Sequence, residues 1–208
     1  MTDTSVFEDK KAAYYTLGCK LNFAETSTIG RSLLAQGVRS VRPREVADIC
    51  VINTCSVTEL ADKKCRTMIR KAAREHPGSF VVVTGCYAQL AADKIAELAP
   101  RVAVLPGLCK DRLADVPSLL SDFIETHEIF SAEDFSNLLS STLFADTKSH
   151  AGKAEASFRL ATDTFLAHSR SSLKIQDGCS SACSYCAIRI ARGKSVSLPV
   201  RDVLSRIA

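Results

Sequence analysis

Apolar residues gather in short dense runs, and between the runs they recur every three or four positions. Ala12 to Leu17 reads as a buried strand that runs into Gly18-Cys19. A helix follows from about Asn22, a suitable N-cap, to Gln36 and ends at Gly37, with Ile29, Leu33 and Leu34 on its apolar side. Val46 to Ile52 is a near-continuous apolar strand leading to Asn53-Thr54-Cys55. The spacing then predicts a long helix from about Thr58 to Glu75, stopped before His76-Pro77-Gly78. Phe80 to Val83 is a third strand, entering Thr84-Gly85-Cys86. A helix over Ala88 to Leu98, a strand over Val102 to Leu105 and a helical segment from about Lys110 to Thr126 complete the pattern.

Short strands that are apolar on both faces, alternating with helices, define an α/β fold: a parallel sheet covered by helices on its two sides. This first domain spans about residues 11–127. From 128 to 170 periodicity fades and Ser, Thr, Ala and charged residues dominate, as in a linker. A second unit starts at 171, with the apolar run Leu173 to Ile175, a cysteine-rich loop, and a helix start at Ser197-Leu198-Pro199 that continues towards residue 208.

Composition narrows the chemistry. No apolar run approaches the roughly 18 residues that a membrane-spanning helix needs, and the polar stretch Met1 to Lys11 lacks the apolar segment of a signal peptide. Nine cysteines in such a chain point to a reducing cytoplasm and to metal ligation rather than disulfides. The net charge of +4 is compatible with an anionic partner without requiring one.

Six of the nine cysteines form two sets. Cys179, Cys183 and Cys186 lie in one loop as C-x3-C-x2-C, with Tyr185 before the last. Thiolates are the usual ligands of iron–sulfur clusters, and three from one loop can hold three irons of a cubane and leave the fourth open to a small molecule. Structural zinc commonly takes four ligands from two closer pairs; it and a redox-inert cysteine cluster are the alternatives. Cys19, Cys55 and Cys86 are far apart in sequence, but each falls just past the carboxyl end of a predicted strand. In an open parallel sheet those ends share one edge, where ligands bind. Cys19 and Cys86 each follow a glycine, which permits a sharp turn beside a bulky group. A second three-cysteine cluster follows from that placement, and three unrelated buried thiols are the alternative. Cys65 lies on the stripe Ala61, Cys65, Met68, Ala72 of a helix, Cys50 inside a strand and Cys109 in a loop, so these three read as packing residues.

The C-x3-C-x2-C loop with its preceding aromatic resembles the radical S-adenosylmethionine superfamily. Thr16-Leu17-Gly18-Cys19-Lys20-Leu21-Asn22 with Glu25-Thr26, then Asn53-Thr54-Cys55 and Thr84-Gly85-Cys86, resembles that superfamily's methylthiotransferase family. The resemblance implies an N-terminal α/β methylthiotransferase domain followed by the start of a radical-SAM (β/α) partial barrel. It implies two 4Fe-4S clusters, an auxiliary one on Cys19, Cys55 and Cys86 and a radical-generating one on Cys179, Cys183 and Cys186. S-adenosyl-L-methionine would bind the open iron of the latter, with Tyr185 beside the adenine.

Family members methylthiolate the adenosine at tRNA position 37 or an aspartate of a ribosomal protein. Leu17-Gly18-Cys19-Lys20-Leu21-Asn22, Lys174-Ile175-Gln176-Asp177-Gly178-Cys179 and Ala191-Arg192-Gly193 look most like the branch acting on C2 of N6-threonylcarbamoyladenosine. The isopentenyladenosine and ribosomal-protein branches are the alternatives within the family; Ile188-Arg189 and Lys194-Ser195-Val196-Ser197 depart from its usual pattern. A non-catalytic iron–sulfur carrier or scaffold and a zinc-stabilised RNA-binding module are the alternatives outside it. The implied partners are the tRNA anticodon stem-loop and an external electron donor, with no membrane. Lys63, Arg66, Arg70 and Arg74, with Lys64 and Lys71 close by, could meet tRNA phosphates or form a solvated helix face. Arg189, Arg192 and Lys194 would neutralise S-adenosylmethionine or RNA charge. A barrel needs about six strand-helix units, of which the sequence holds the first, so the chain by itself is expected not to turn over.

Overall fold

The computed structural model describes residues 10–99, 102–116, 158–160 and 173–207. Five parallel strands make the first domain's sheet: β1 (Lys11–Thr16), β2 (Arg39–Val41), β3 (Ile49–Thr54), β4 (Phe80–Gly85) and β5 (Ala103–Val104), in the order β2-β1-β3-β4-β5. Every pairing is parallel, with Ala13 opposite Cys50 and Cys50 opposite Val81. The sheet is the α/β architecture that the alternating pattern predicts.

Side-chain alternation sorts the sheet residues to two sides. Ala12, Val51 and Val82 pack with Ile29 and Leu33 of α1 (Lys20–Ala35) and with Leu113 of the 3₁₀ helix Gly107–Ala114. Tyr15, Cys50, Ile52, Val81 and Val83 face the other way, onto Cys65 and Ile69 of α2 (Glu59–Glu75) and Ile95 of α4 (Ala92–Leu98). Burying an aliphatic side chain of this size contributes about 1.5–3 kcal/mol. Strands sealed on both faces must therefore be apolar throughout, as β3 and β4 largely are. Leu160 is buried in the α1-side core, and Arg159 beside it pairs with Asp111 of the 3₁₀ segment and with Asp115 just after it.

Several boundaries differ from the sequence reading. Helix α1 begins at Lys20 with Cys19 as its N-cap, so Asn22 is no cap; its side-chain amide donates instead to the carbonyls of Leu17 and Thr54. Val46 lies outside β3 and is 83% exposed, and Leu34 is half exposed. The helix expected over Ala88 to Leu98 is two helices, α3 (Cys86–Leu90) and α4, because Ala91 leaves the helical region at φ −143°. Strand β2 was not expected, since Arg39 and Ser40 are polar and exposed. The helical segment after Lys110 is a 3₁₀ turn up to Ala114, and its expected continuation from 117 lies outside the described residues.

In the second unit the run Leu173 to Ile175 forms no strand. Two-residue strands β6 (Gln176–Asp177) and β7 (Val196–Ser197) pair antiparallel and close the base of the cysteine loop, which leads into α5 (Ile188–Arg192). Helix α6 (Val200–Ile207) follows directly after Pro199, whose carbonyl accepts from Asp202 and Val203; Ser197 belongs to β7 and is not its cap.

Candidate metal centre

The carboxyl ends of β1, β3 and β4, three adjacent strands, deliver Cys19, Cys55 and Cys86 to one edge of the sheet. Cys19 caps α1, Cys55 follows β3, and Cys86 opens α3. Gly18 makes the approach possible: at φ +114°, a side chain there would place its Cβ 2.5 Å from Cys55 Cβ and 2.8 Å from Cys55 Sγ. Gly85 is equally constrained at φ +96°, with a would-be Cβ 2.7 Å from the Thr54 nitrogen. Neither turn admits an L side chain, and at Gly18 its absence is what lets the backbone lie directly against Cys55. Burial pushes the Cys55 thiol up, a backbone hydrogen bond from Val57 opposes it, and the nearby Cys86 and Cys19 push it further.

The donor chemistry of three cysteines at adjacent strand ends, with the side-chain-free Gly18 against Cys55, suits a bulky group held by three thiolates. Among the described residues, no three His, Cys, Asp or Glu side chains close on one point as ligands of a single ion would. A cubane asks for a wider ring, because each thiolate takes a separate iron.

Cys179, Cys183 and Cys186 lie between β6 and α5. Cys183 is exposed, the other two are half-buried, and Tyr185 is 91% exposed. The loop is held at its ends: Cys179 N–H donates to the Gly193 carbonyl and Cys186 N–H to that of Cys183, both at 3.1 Å. Gly178 N–H bonds the Asp177 carboxylate at 2.8 Å. Helix α5 packs on α3, so the loop's exit touches the helix that Cys86 begins.

Cys50, Cys65 and Cys109 are fully buried. Burial pushes the Cys50 thiol up to about 12 and the Cys65 thiol up to about 11. Cys65 donates to the Cys55 carbonyl at 3.2 Å, so it steadies the turn that carries Cys55.

A buried ionic cluster joins the two cysteine regions. Glu25, fully buried on α1, accepts from Lys110 Nζ at 2.6 Å, Lys174 Nζ at 3.1 Å and Arg192 Nη1 at 3.0 Å. Asp177 pairs with Lys174 at 2.6 Å and Arg192 at 3.0 Å. Arg192 Nη2 donates to Asn22 Oδ1 at 2.6 Å, and Cys19 Sγ lies 3.9 Å from that same oxygen. Burial alone would raise the Glu25 carboxyl, but Lys110, Arg192 and Lys174 outweigh it and hold it far below the usual carboxylate range.

This cluster corrects the expectation that Arg192 serves an external anion: its guanidinium is turned inward onto Glu25, Asp177 and Asn22. Arg189 and Lys194 are exposed. The sequence reading also passed over Glu25, Lys174 and Asp177 as functional groups. A charge on the inward helix face of Ile29 and a lysine between Leu173 and Ile175 were the available signals. On α2, Lys63, Lys64, Arg70 and Arg74 are exposed, Lys71 pairs with Glu75, and Arg66 reaches the Tyr87 hydroxyl at 3.4 Å.

Residues 11–107 match the family described as "Uncharacterized protein family UPF0004". The first domain carries the UPF0004 match, and over most of its length the chain is similar to proteins of the methylthiotransferase family. It is similar to "Threonylcarbamoyladenosine tRNA methylthiotransferase MtaB" of Treponema pallidum, at 33% identity over 92% of this chain and 48% of the relative. The Bacillus subtilis protein of the same name is 32% identical over 93% of this chain and 39% of its own length. The "tRNA-2-methylthio-N(6)-dimethylallyladenosine synthase" of Lawsonia intracellularis is 31% identical over 91% of this chain and 39% of that protein. The chain spans about half the length, or less, of these curated relatives.

Proposed function

We propose that this chain serves a radical-SAM methylthiotransferase that places a methylthio group on C2 of N6-threonylcarbamoyladenosine at position 37 of tRNA. Cys19, Cys55 and Cys86 would hold an auxiliary 4Fe-4S cluster. Cys179, Cys183 and Cys186 would hold a second one that binds S-adenosylmethionine beside Tyr185. These groups, when bound, supply the sulfur and a carbon radical strong enough to attack an unactivated aromatic C–H, a bond that no side-chain base could open at neutral pH. The protein's own work is to gather the thiols, exclude water behind the buried Glu25 cluster and present the open face around Tyr185.

The observation that carries the reading is the meeting of three distant cysteines at adjacent strand ends, next to the exit of a second cysteine loop. Similarity to relatives named for threonylcarbamoyladenosine tRNA supports the choice of base. The exposed basic residues of α2 support an RNA partner. The nine cysteines suit a reducing cytoplasm, and among the described residues no helix is long and apolar enough to cross a membrane. An external reductant would supply the electron.

The test is anaerobic reconstitution with iron and sulfide of a version as long as the relatives, followed by incubation with S-adenosylmethionine, dithionite and tRNA carrying N6-threonylcarbamoyladenosine. Release of 5′-deoxyadenosine with methylthiolated tRNA is expected. Clusters without S-adenosylmethionine cleavage would replace this reading with an electron carrier, and colourless zinc protein would replace it with an RNA-binding module.

A further inference from the structure

Among the described residues, three cations and two carboxylates make up the buried cluster of Lys110, Lys174, Arg192, Glu25 and Asp177, so one positive charge is left over there. None of the five side chains is more than 9% exposed. An unbalanced buried charge is costly unless an opposite charge lies close by. Among the described residues, the thiols of the sheet edge adjoin this cluster. Arg192 shares Asn22 Oδ1 with Cys19 Sγ and sits on the helix that packs against α3, which Cys86 opens.

We propose that Arg192 is a positioning residue that ties the two cysteine sets together and supplies the counter-charge for an anionic cluster at Cys19, Cys55 and Cys86. The inference rests on the reading above that those three cysteines hold a cluster. Three thiolates around a dicationic cubane leave one net negative charge, and one-electron reduction leaves two. A guanidinium at that edge, away from water, therefore stabilises the reduced form more than the oxidised one. The same guanidinium grips Asp177, two positions before Cys179. Docking of the second cysteine loop and the potential of the first cluster are then coupled through one side chain.

The experiment uses the 208-residue chain with Cys179, Cys183 and Cys186 changed to Ala, so that only the first set holds iron. It is reconstituted anaerobically with iron and sulfide and titrated in the presence of redox mediators. Arg192→Gln lowers the midpoint by at least the equivalent of a tenfold change in the reduction equilibrium, 59 mV for one electron. Arg192→Lys, which keeps the charge, stays within threefold of the parent. An unchanged midpoint in Arg192→Gln, or an equal fall in both variants, overturns the proposal. Should Arg192→Gln lose its folded circular dichroism, Asp177→Asn decides: removal of a negative charge raises the midpoint, and a fall overturns the proposal. Adding Cys19→Ala, Cys55→Ala and Cys86→Ala to the parent tests the underlying reading separately. Iron that survives those changes refutes the cluster assignment itself, and with it this inference.

Discussion

Arg192 Nη1 lies 3.0 Å from Glu25 Oε1, although 167 positions separate the two residues. The contact makes the first helix and the exit of the late cysteine loop one buried structure. Removing one partner of such a pair leaves charges without compensation and costs about 3–5 kcal/mol. Glu25→Gln is therefore expected to lower stability at neutral pH by that amount, read as a shifted urea midpoint.

The pH dependence has a definite sign. The Glu25 and Asp177 carboxyls are each raised by burial but brought below their ordinary values by the surrounding cations. Their contribution is fully present above the unfolded carboxylate range, about pH 4, and is lost as pH falls below it. Urea midpoints measured between about pH 6 and pH 2 should fall with acid in the native sequence and fall less steeply in Glu25→Gln. Equal slopes would contradict the assignment.

Thiol labelling separates the cysteines by environment. With no cluster bound, Cys19 and Cys183 are exposed, whereas Cys50 and Cys65 are buried with thiols raised to about 12 and about 11. Since the thiolate is the nucleophile, brief iodoacetamide treatment at about pH 8 should mark Cys19 and Cys183 and leave Cys50, Cys65 and Cys109 unmodified. Peptide mass spectrometry checks the order.

Gly85 is the most constrained turn at the cysteine edge. A Cβ there would lie 2.5 Å from Asn53 Oδ1 and 2.7 Å from the Thr54 nitrogen, at a backbone φ of +96°. Gly85→Ala must move β3 or unwind the start of α3, at a cost of at least about 1–3 kcal/mol. A lowered melting temperature is expected, together with faster labelling of Cys86.

The cysteine edge was legible because each thiol follows an apolar run at the same place, and parallel topology brings such ends together. What stayed hidden was whatever depended on partners remote in sequence. Asn22 has the composition of a helix cap, yet its amide is drawn to the carbonyls of Leu17 and Thr54 across the turn. Arg192 beside Gly193 looks like a surface cation until Glu25 and Asp177 are seen around it. Lys174 interrupts an apolar run that reads as a barrel strand, and its ammonium is what turns the run into part of the ionic cluster. Strand β2 carries almost no apolar signal, because an edge strand needs only backbone pairing to β1.

An RNA partner on α2 would be read through salt. Lys63→Ala, Arg70→Ala and Arg74→Ala together should weaken tRNA binding at low salt and reduce the slope of log affinity against log salt by about 2–3, if each side chain meets one phosphate of a duplex stem. An unchanged slope would make this face merely solvated.

The central claim is that Cys19, Cys55 and Cys86 hold one cluster and Cys179, Cys183 and Cys186 another. Iron and acid-labile sulfide counted per chain after anaerobic reconstitution test it most directly. About eight irons are expected in the native sequence, about four when either trio is changed to Ala, and about eight again when Cys50, Cys65 and Cys109 are changed. An iron count unaffected by the loss of Cys19, Cys55 and Cys86 would contradict the account.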